Sequence, residues 1–124
     1  MKNQKEDGSF QKRAYLLALR ALKLIDFLPN KKSFWSLGDQ LLRSITSIGA
    51  NVIEAQASSS KREFVRYYEI ALKSANESKF WLCLLRDSKK GDSALASEML
   101  KEVVELAKIL GASILTLKGK RKSF

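Results

Sequence analysis

Apolar residues recur every three or four positions over most of the chain, and this spacing predicts four amphipathic helices. The helices are expected over about residues 10–28, 33 or 36 to 57, 61–89 and 93–118. Pro29-Asn30, residues 58–60 and Gly91-Asp92 interrupt the pattern and mark short connections. Because short connections place consecutive helices antiparallel, the pattern predicts an all-α fold, an antiparallel up-down-up-down four-helix bundle.

Local signals mark both ends of the third helix and a close contact of the second. Ser60 and Glu63 have the spacing of a capping box, which predicts that the third helix starts there. Gly91 is expected to end it, because glycine readily takes the left-handed conformation of a helix C-cap. Gly38 and Gly49 lie eleven residues apart, on one face of the second helix. Each costs about 1 kcal/mol relative to alanine, so a neighbouring helix is predicted to approach closely along that face.

The length and composition fit one domain with a basic surface. The 124 residues suffice for a single core and divide into a polar N-terminal segment (1–9), the bundle (10–118) and a basic tail (119–124). Lysine and arginine total 23 against 13 acidic residues, a formal net charge of +10. This surplus attracts polyanions such as RNA, DNA or an acidic protein face, unless it serves solubility alone. The residues predicted to contact phosphates are Arg62, Arg66, Lys73, Lys120, Arg121 and Lys122.

The chain shows no sign of export or membrane insertion. Residues 1–9 lack the apolar core of a signal peptide, and no apolar run approaches the roughly 20 residues that span a bilayer. Cys83 is the only cysteine, which excludes an intrachain disulfide and fits a reducing compartment. We therefore expect a cytoplasmic protein with no membrane partner.

The chain carries more large apolar side chains than one bundle core can cover. A bundle hides one side of each helix, yet residues 80–85 are apolar in every direction around the third helix. Leu16, Leu19 and Leu24 pose the same problem on the first helix. Left in water, such side chains would form a sticky patch, unless tilted helices absorb them into the core. The residues predicted to form the subunit interface of a homo-oligomer are Phe80, Trp81 and Leu84.

The residue types needed for catalysis or metal binding are missing or scattered. Without histidine, the chain cannot form Ser-His or Cys-His nucleophile pairs, or the Glu-x-x-His motifs of di-iron bundles. It also lacks a glycine-rich phosphate loop. Glu54, Glu69 and Glu77 could meet as a carboxylate cluster, but surface charges or paired polar groups are the favoured interpretation. We therefore predict that the protein is not an enzyme and has no catalytic residue, metal or cofactor.

Polar residues follow the apolar stripe of the second helix closely. Asn51 and Glu54 lie near Ser44 and Ser47 in sequence, and buried polar groups need hydrogen-bond partners. Asn51, Glu54 and Glu77 are predicted to form a buried polar layer that fixes helix register or oligomeric state. Ligand binding by these residues is the alternative.

The second and third helices carry a recognisable pattern. Residues 47–55 read Ser-Ile-Gly-Ala-Asn-Val-Ile-Glu-Ala, close to Ser-Ile-x-x-Asn-Ile-x-Glu-Gly. The third helix continues it with Phe64, Ile70, Ala71, Ser74 and Glu77. This set resembles the "four helix bundle protein" family, whose founding members are encoded by intervening sequences within bacterial 23S ribosomal RNA genes. The resemblance is close over residues 37–86, with Val52 in place of the usual Ile and Ala55 in place of the usual Gly.

The resemblance implies a bundle that assembles as a ring, with a homopentamer as the expected state. Some relatives of the same fold are accessory proteins of diversity-generating retroelements, and they form basic pentamers that bind a reverse transcriptase and nucleic acid. We therefore expect a non-enzymatic homo-oligomer that binds structured RNA or RNA/DNA through phosphate contacts. The alternative is a protein-interaction scaffold or an accessory subunit of a reverse transcriptase.

Overall fold

The computed structural model describes residues 9–119, and these form four α-helices. The helices are α1 (Phe10–Asp26), α2 (Lys32–Gln56), α3 (Lys61–Ser88) and α4 (Ser93–Leu117). No strand occurs among the described residues, so the predicted all-α class is confirmed. Residues 1–8 of the predicted N-terminal segment and residues 120–124 of the predicted tail lie outside the described range.

Successive helices run antiparallel and form the predicted bundle. Between α2 and α3, Ser44 meets Ser78 and Ser47 meets Ser74, so the residue numbers rise along one helix as they fall along the other. Both α1 and α3 pack against α2 and α4, which places α1 and α3 at opposite corners. The connections are too short for a crossover and span residues 27–31, 57–60 and 89–92.

The apolar stripes of all four helices meet in one core. Its largest fully buried side chains are Leu17, Leu24, Leu41, Ile45, Ile48, Leu82, Met99, Leu106 and Leu110. Leu24 is therefore a core residue, and its predicted place in the surplus apolar surface of the first helix is wrong. It lies seven residues after Leu17, two helical turns along the same buried face.

Two glycines of α2 face α1. A Cβ built on Gly38 would lie 3.4 Å from Ile25 Cγ2, and one built on Gly49 would lie 3.3 Å from Ala14 Cβ. The second distance is tighter than ordinary van der Waals contact, so α1 and α2 are close along this line. The predicted close approach is confirmed.

The two ends of α3 give opposite outcomes for the predictions. Ser60 Oγ accepts a hydrogen bond from the Glu63 N–H at 3.1 Å, which confirms the predicted N-cap. Gly91 does not end the helix, and that prediction is wrong, because Lys89 takes the left-handed conformation with φ of 56°. Gly91 instead permits a close contact, since an added Cβ would lie 3.0 Å from Leu28 Cδ2.

An ion pair joins α1 to α4. Arg13 Nε lies 2.9 Å from Glu102 Oε2, and Arg13 Nη2 lies 2.8 Å from Glu102 Oε1. The hydrogen bond from Arg13 lowers the pKa of Glu102, and the same bond raises the pKa of Arg13. Further along, Arg20 Nε lies 3.8 Å from Glu98 Oε1, which fixes the same antiparallel register.

Candidate functional site

The interface of α2 and α3 contains a row of serine hydroxyls, which we call the serine seam (Ser44, Ser47, Ser74 and Ser78). Ser44 and Ser78 are fully buried. Ser78 Oγ lies 2.8 Å from both Ser44 Oγ and the Ser74 carbonyl oxygen, and Ser44 Oγ donates to the Leu41 carbonyl at 3.1 Å. Each buried hydroxyl therefore has a partner in its own helix as well as one across the interface.

Asn51 continues the serine seam toward the surface. Ser74 Oγ lies 2.8 Å from Ser47 Oγ, and Asn51 Nδ2 donates to the Ser47 carbonyl at 2.8 Å and to Ser47 Oγ at 2.9 Å. Asn51 is half-buried. Among the described residues, no buried side-chain nitrogen or oxygen lacks a hydrogen-bond partner. The seam is thus satisfied within the subunit, as expected of a polar layer that sets helix register.

The carboxylates predicted for this layer lie elsewhere. Glu54 is exposed, and its predicted burial within the subunit is wrong, because it lies two residues after buried Val52 and hence about 200° around the helix. Glu77 is only half-buried at the outer edge of the interface. It accepts a hydrogen bond from Trp81 Nε1 at 3.0 Å and pairs with Arg43. These hydrogen bonds, that of Trp81 foremost, lower the pKa of Glu77.

A signal in the sequence could have identified the serines. Ser74 and Ser78 are four residues apart and Ser44 and Ser47 three apart, so each pair lies on one side of its helix. Both pairs flank an apolar stripe. The serines therefore have the spacing of a polar layer, although their side chains are shorter than those of the residues predicted for it.

All four helices carry exposed large apolar side chains, and those of α1 and α3 include residues predicted for the surplus apolar surface and the subunit interface. On α3, Phe80 is 62% exposed and Leu84 41%, while Trp81 is half-buried against Phe80, edge to face, with ring centroids 5.1 Å apart. On α1, Tyr15 and Leu19 are 63% and 46% exposed. Because α1 and α3 occupy opposite corners, these faces point away from each other.

A groove lies where α3 begins and α4 ends. Four cations line it, and we call it the basic groove (Lys61, Arg62, Arg66 and Lys118); its volume is about 810 Å³. Val65 and Leu117 form its apolar floor. The N-cap at Ser60 starts α3 so that Arg62 and Arg66 lie one turn apart on the same side. Leu117 and Lys118 reach it from the end of α4.

One carboxylate lies among these cations. Lys118 Nζ is 2.6 Å from Glu69 Oε2, so this pair joins the two helices and neutralises part of the groove. Lys61, Arg62 and Arg66 are exposed and take part in no ion pair among the described residues. Three cations of the groove are therefore open to an anion.

The predicted phosphate contacts divide into three groups. Arg62 and Arg66 lie together in the basic groove. Lys73 is exposed two turns further along α3 and lines a separate depression of about 360 Å³. Lys120, Arg121 and Lys122 lie outside the described residues. Lys61 and Lys118, absent from the predicted set, complete the groove because the fold brings the start of α3 beside the end of α4.

The other candidate chemistry does not assemble. Glu54, Glu69 and Glu77 do not form a cluster, and within residues 9–119 no three His, Cys, Asp or Glu side chains are placed to hold a metal ion. Cys83 is a half-buried free thiol. In the same part of the chain, no helix is both long enough and apolar enough to cross a membrane.

Comparison with known proteins places the chain among related sequences. The family model described as 23S rRNA-intervening sequence protein matches residues 6–112. Among solved structures, the chain is similar to a protein of unknown function from the S23 ribosomal protein family of Bacteroides thetaiotaomicron. The two are 33% identical, the match covers 86% of this chain and 98% of that one, and the TM-score is 0.78. No curated protein matches the chain.

Proposed function

Because this chain belongs to the 23S rRNA-intervening sequence protein family, we propose that it is a non-enzymatic homo-oligomer that binds nucleic acid through the basic groove. The observation that carries the proposal is the convergence of Lys61, Arg62, Arg66 and Lys118 at one end of the bundle. Phosphate contacts require positive charge and little specific geometry. The net charge of +10 adds long-range attraction for the same kind of partner.

The strength and salt dependence of such binding follow from the number of open cations. Lys61, Arg62 and Arg66 can each neutralise one phosphate, which corresponds to a slope of about −2.7 in log affinity against log salt on duplex DNA. Between 50 and 200 mM salt, that slope weakens binding roughly 40-fold. The steepness is therefore a measurable count of the phosphates in contact.

Fluorescence anisotropy with labelled structured RNA and mixed-sequence duplex DNA tests the proposal. The double variant Arg62→Ala/Arg66→Ala is expected to reduce the salt slope by about 2 and to weaken binding at low salt. The matched control is Lys32→Ala/Lys90→Ala, which removes the same charge from exposed positions at the opposite end of the bundle. Equal weakening by both double variants, or no binding at 50 mM salt, would overturn the proposal.

Self-association is the second part of the proposal. The exposed faces of α1 and α3 are different surfaces on opposite corners. A contact between two different faces propagates head to tail, and it forms a ring when the rotation between successive subunits closes. The family resemblance implies five subunits, and five chains of 14.0 kDa give about 70 kDa. Light scattering is expected to report a multiple of 14.0 kDa, reduced to the single chain by Phe80→Glu/Leu84→Glu. A 14.0 kDa species at micromolar concentration would refute this part.

A protein-interaction scaffold, such as an accessory subunit of a reverse transcriptase, is the alternative. The exposed apolar faces with Phe80, Leu84, Tyr15 and Leu19 support it, because large exposed apolar side chains commonly mark protein-binding surfaces. Under this alternative the charge steers encounter with an acidic partner. The alternative gains if the chain self-associates and binds neither nucleic-acid probe. Cytoplasmic location stays a prediction.

A further inference from the structure

An aromatic pocket lies beside the basic groove, between α3 and α4. Phe64 and Tyr68 stack on successive turns of α3, with ring centroids 4.7 Å apart and planes inclined by 26°. Ala112, Ser113, Thr116 and Leu117 of α4 line the other side of this pocket, whose volume is about 400 Å³. Both rings are half-buried. The pocket combines aromatic surface with the hydroxyls of Tyr68, Ser113 and Thr116.

Two of the four α4 residues that line this pocket have small side chains. Ala112 and Ser113 line the pocket together with the two rings. Tyr68 packs against the core on one side. The small residues therefore leave open space beside the rings that larger residues would fill.

The aromatic pocket and the basic groove form one continuous surface. Leu117 lines both of them. Lys61 of the groove and Phe64 of the pocket also line a third depression of about 400 Å³ with the serines of the α2–α3 connection. A ligand that places anionic groups on Lys61, Arg62 and Arg66 can therefore place an adjacent group against the aromatic side chains.

We propose that the ligand of this end of the bundle is single-stranded nucleic acid, with its backbone in the basic groove and a base in the aromatic pocket. Single strands expose their bases to stacking on Phe and Tyr, whereas a duplex keeps its bases stacked and presents chiefly phosphates and groove edges. Hydroxyls at the pocket wall can meet the polar edge of a base. The inference rests on the proposed function for its phosphate contacts, and it specifies in addition that the bound nucleic acid is single-stranded.

The test compares a labelled 12-nucleotide single-stranded RNA with a 12-base-pair duplex RNA. The variant Phe64→Leu keeps most of the apolar volume and removes the ring, and Phe27→Leu is the matched control, because Phe27 is exposed at the opposite end of the bundle. A stacked base contributes about 1–3 kcal/mol, which corresponds to roughly 5- to 150-fold in affinity. Since leucine retains some contact, Phe64→Leu is expected to weaken single-strand binding about 5- to 20-fold and duplex binding less than twofold.

Two further measurements separate the possible outcomes. Photocrosslinking of the unmodified protein to RNA that contains 4-thiouridine, followed by peptide mass spectrometry, is expected to find RNA adducts on the peptides that contain Phe64 and Tyr68. This measurement uses the protein without substitutions, so it does not depend on whether a variant folds. The single-strand inference is overturned if Arg62→Ala/Arg66→Ala loses binding, Phe64→Leu has no effect and the crosslinks lie elsewhere. That result would leave the proposed function intact. If Arg62→Ala/Arg66→Ala also binds normally, the proposed function fails as well.

Discussion

Gly111, in the C-terminal part of α4, offers a test of the packing described above. Glycine inside a helix is about 1 kcal/mol less favourable than alanine, because its backbone loses more freedom on folding. A Cβ at Gly111 would meet nothing within 4 Å in the subunit. The variant Gly111→Ala is therefore expected to raise the free energy of unfolding by about 1 kcal/mol.

Gly49 supplies the matched comparison in α2. Replacing Gly49 with alanine would give the same gain in helix propensity. The added Cβ would lie 3.3 Å from Ala14 Cβ, however, so α1 would have to move by a few tenths of an ångström. Gly49→Ala is expected to gain less than Gly111→Ala, or to lose stability. The difference between the two variants then measures the close packing of α1 on α2, with the propensity term removed.

Thermal unfolding followed by circular dichroism at 222 nm gives both values. With about 2.1 cal/mol/K of unfolding entropy per residue, 124 residues give roughly 260 cal/mol/K, so 1 kcal/mol raises the Tm by about 4 °C. Measuring in the Phe80→Glu/Leu84→Glu background removes the concentration dependence that assembly would add. A lower Tm for Gly111→Ala, or equal shifts for the two glycines, would refute the reasoning.

Three further predictions concern charge and backbone conformation. Because Arg13 lowers the Glu102 pKa, the pair contributes stability above the ordinary pKa of 4.5 that is lost as the pH falls through the lowered folded-state pKa. Glu102→Gln should cost about 1 kcal/mol at pH 7 and almost nothing at pH 2, as measured by urea unfolding; equal costs at both pH values would contradict this. Glu69→Gln should strengthen nucleic-acid binding two- to threefold by freeing Lys118, and weaker binding in anisotropy would argue against the groove. Lys89→Gly should stabilise the fold by about 0.5–1 kcal/mol by relieving the left-handed residue, and a lower Tm would show that Lys89 is not strained.

The architecture was readable from the sequence because each signal acts within a helix or its cap. The apolar period of α2 and α4 sets their buried faces, and the Ser60 cap sets the start of α3. The end of α3 was predicted incorrectly, because Gly91 allows close packing against Leu28, which lies 63 positions earlier in the chain, and does not end the helix. A left-handed helix cap and a close helix contact both favour glycine, and the sequence alone does not show which of the two applies at a given position.

The candidate site was predictable only in part, for a related reason. Arg62 and Arg66 share a helix face, which follows from their spacing. Lys118 joins them only because α4 ends beside the start of α3. The polar layer was expected around the longer side chains of Asn51 and Glu54, but a close α2–α3 interface accommodates serine hydroxyls. Side-chain size at a helix interface depends on interhelical distance, which a single helical pattern does not encode.

The antiparallel topology has a practical consequence for anyone who labels this protein. Ser9 precedes α1 and Gly119 follows α4, so both leave the bundle at the end that holds the α2–α3 connection and Lys61. An affinity tag or fluorescent protein fused at either terminus would crowd that end and could mask its charges. Small epitope insertions in the connections at residues 27–31 or 89–92, at the far end, would leave it clear.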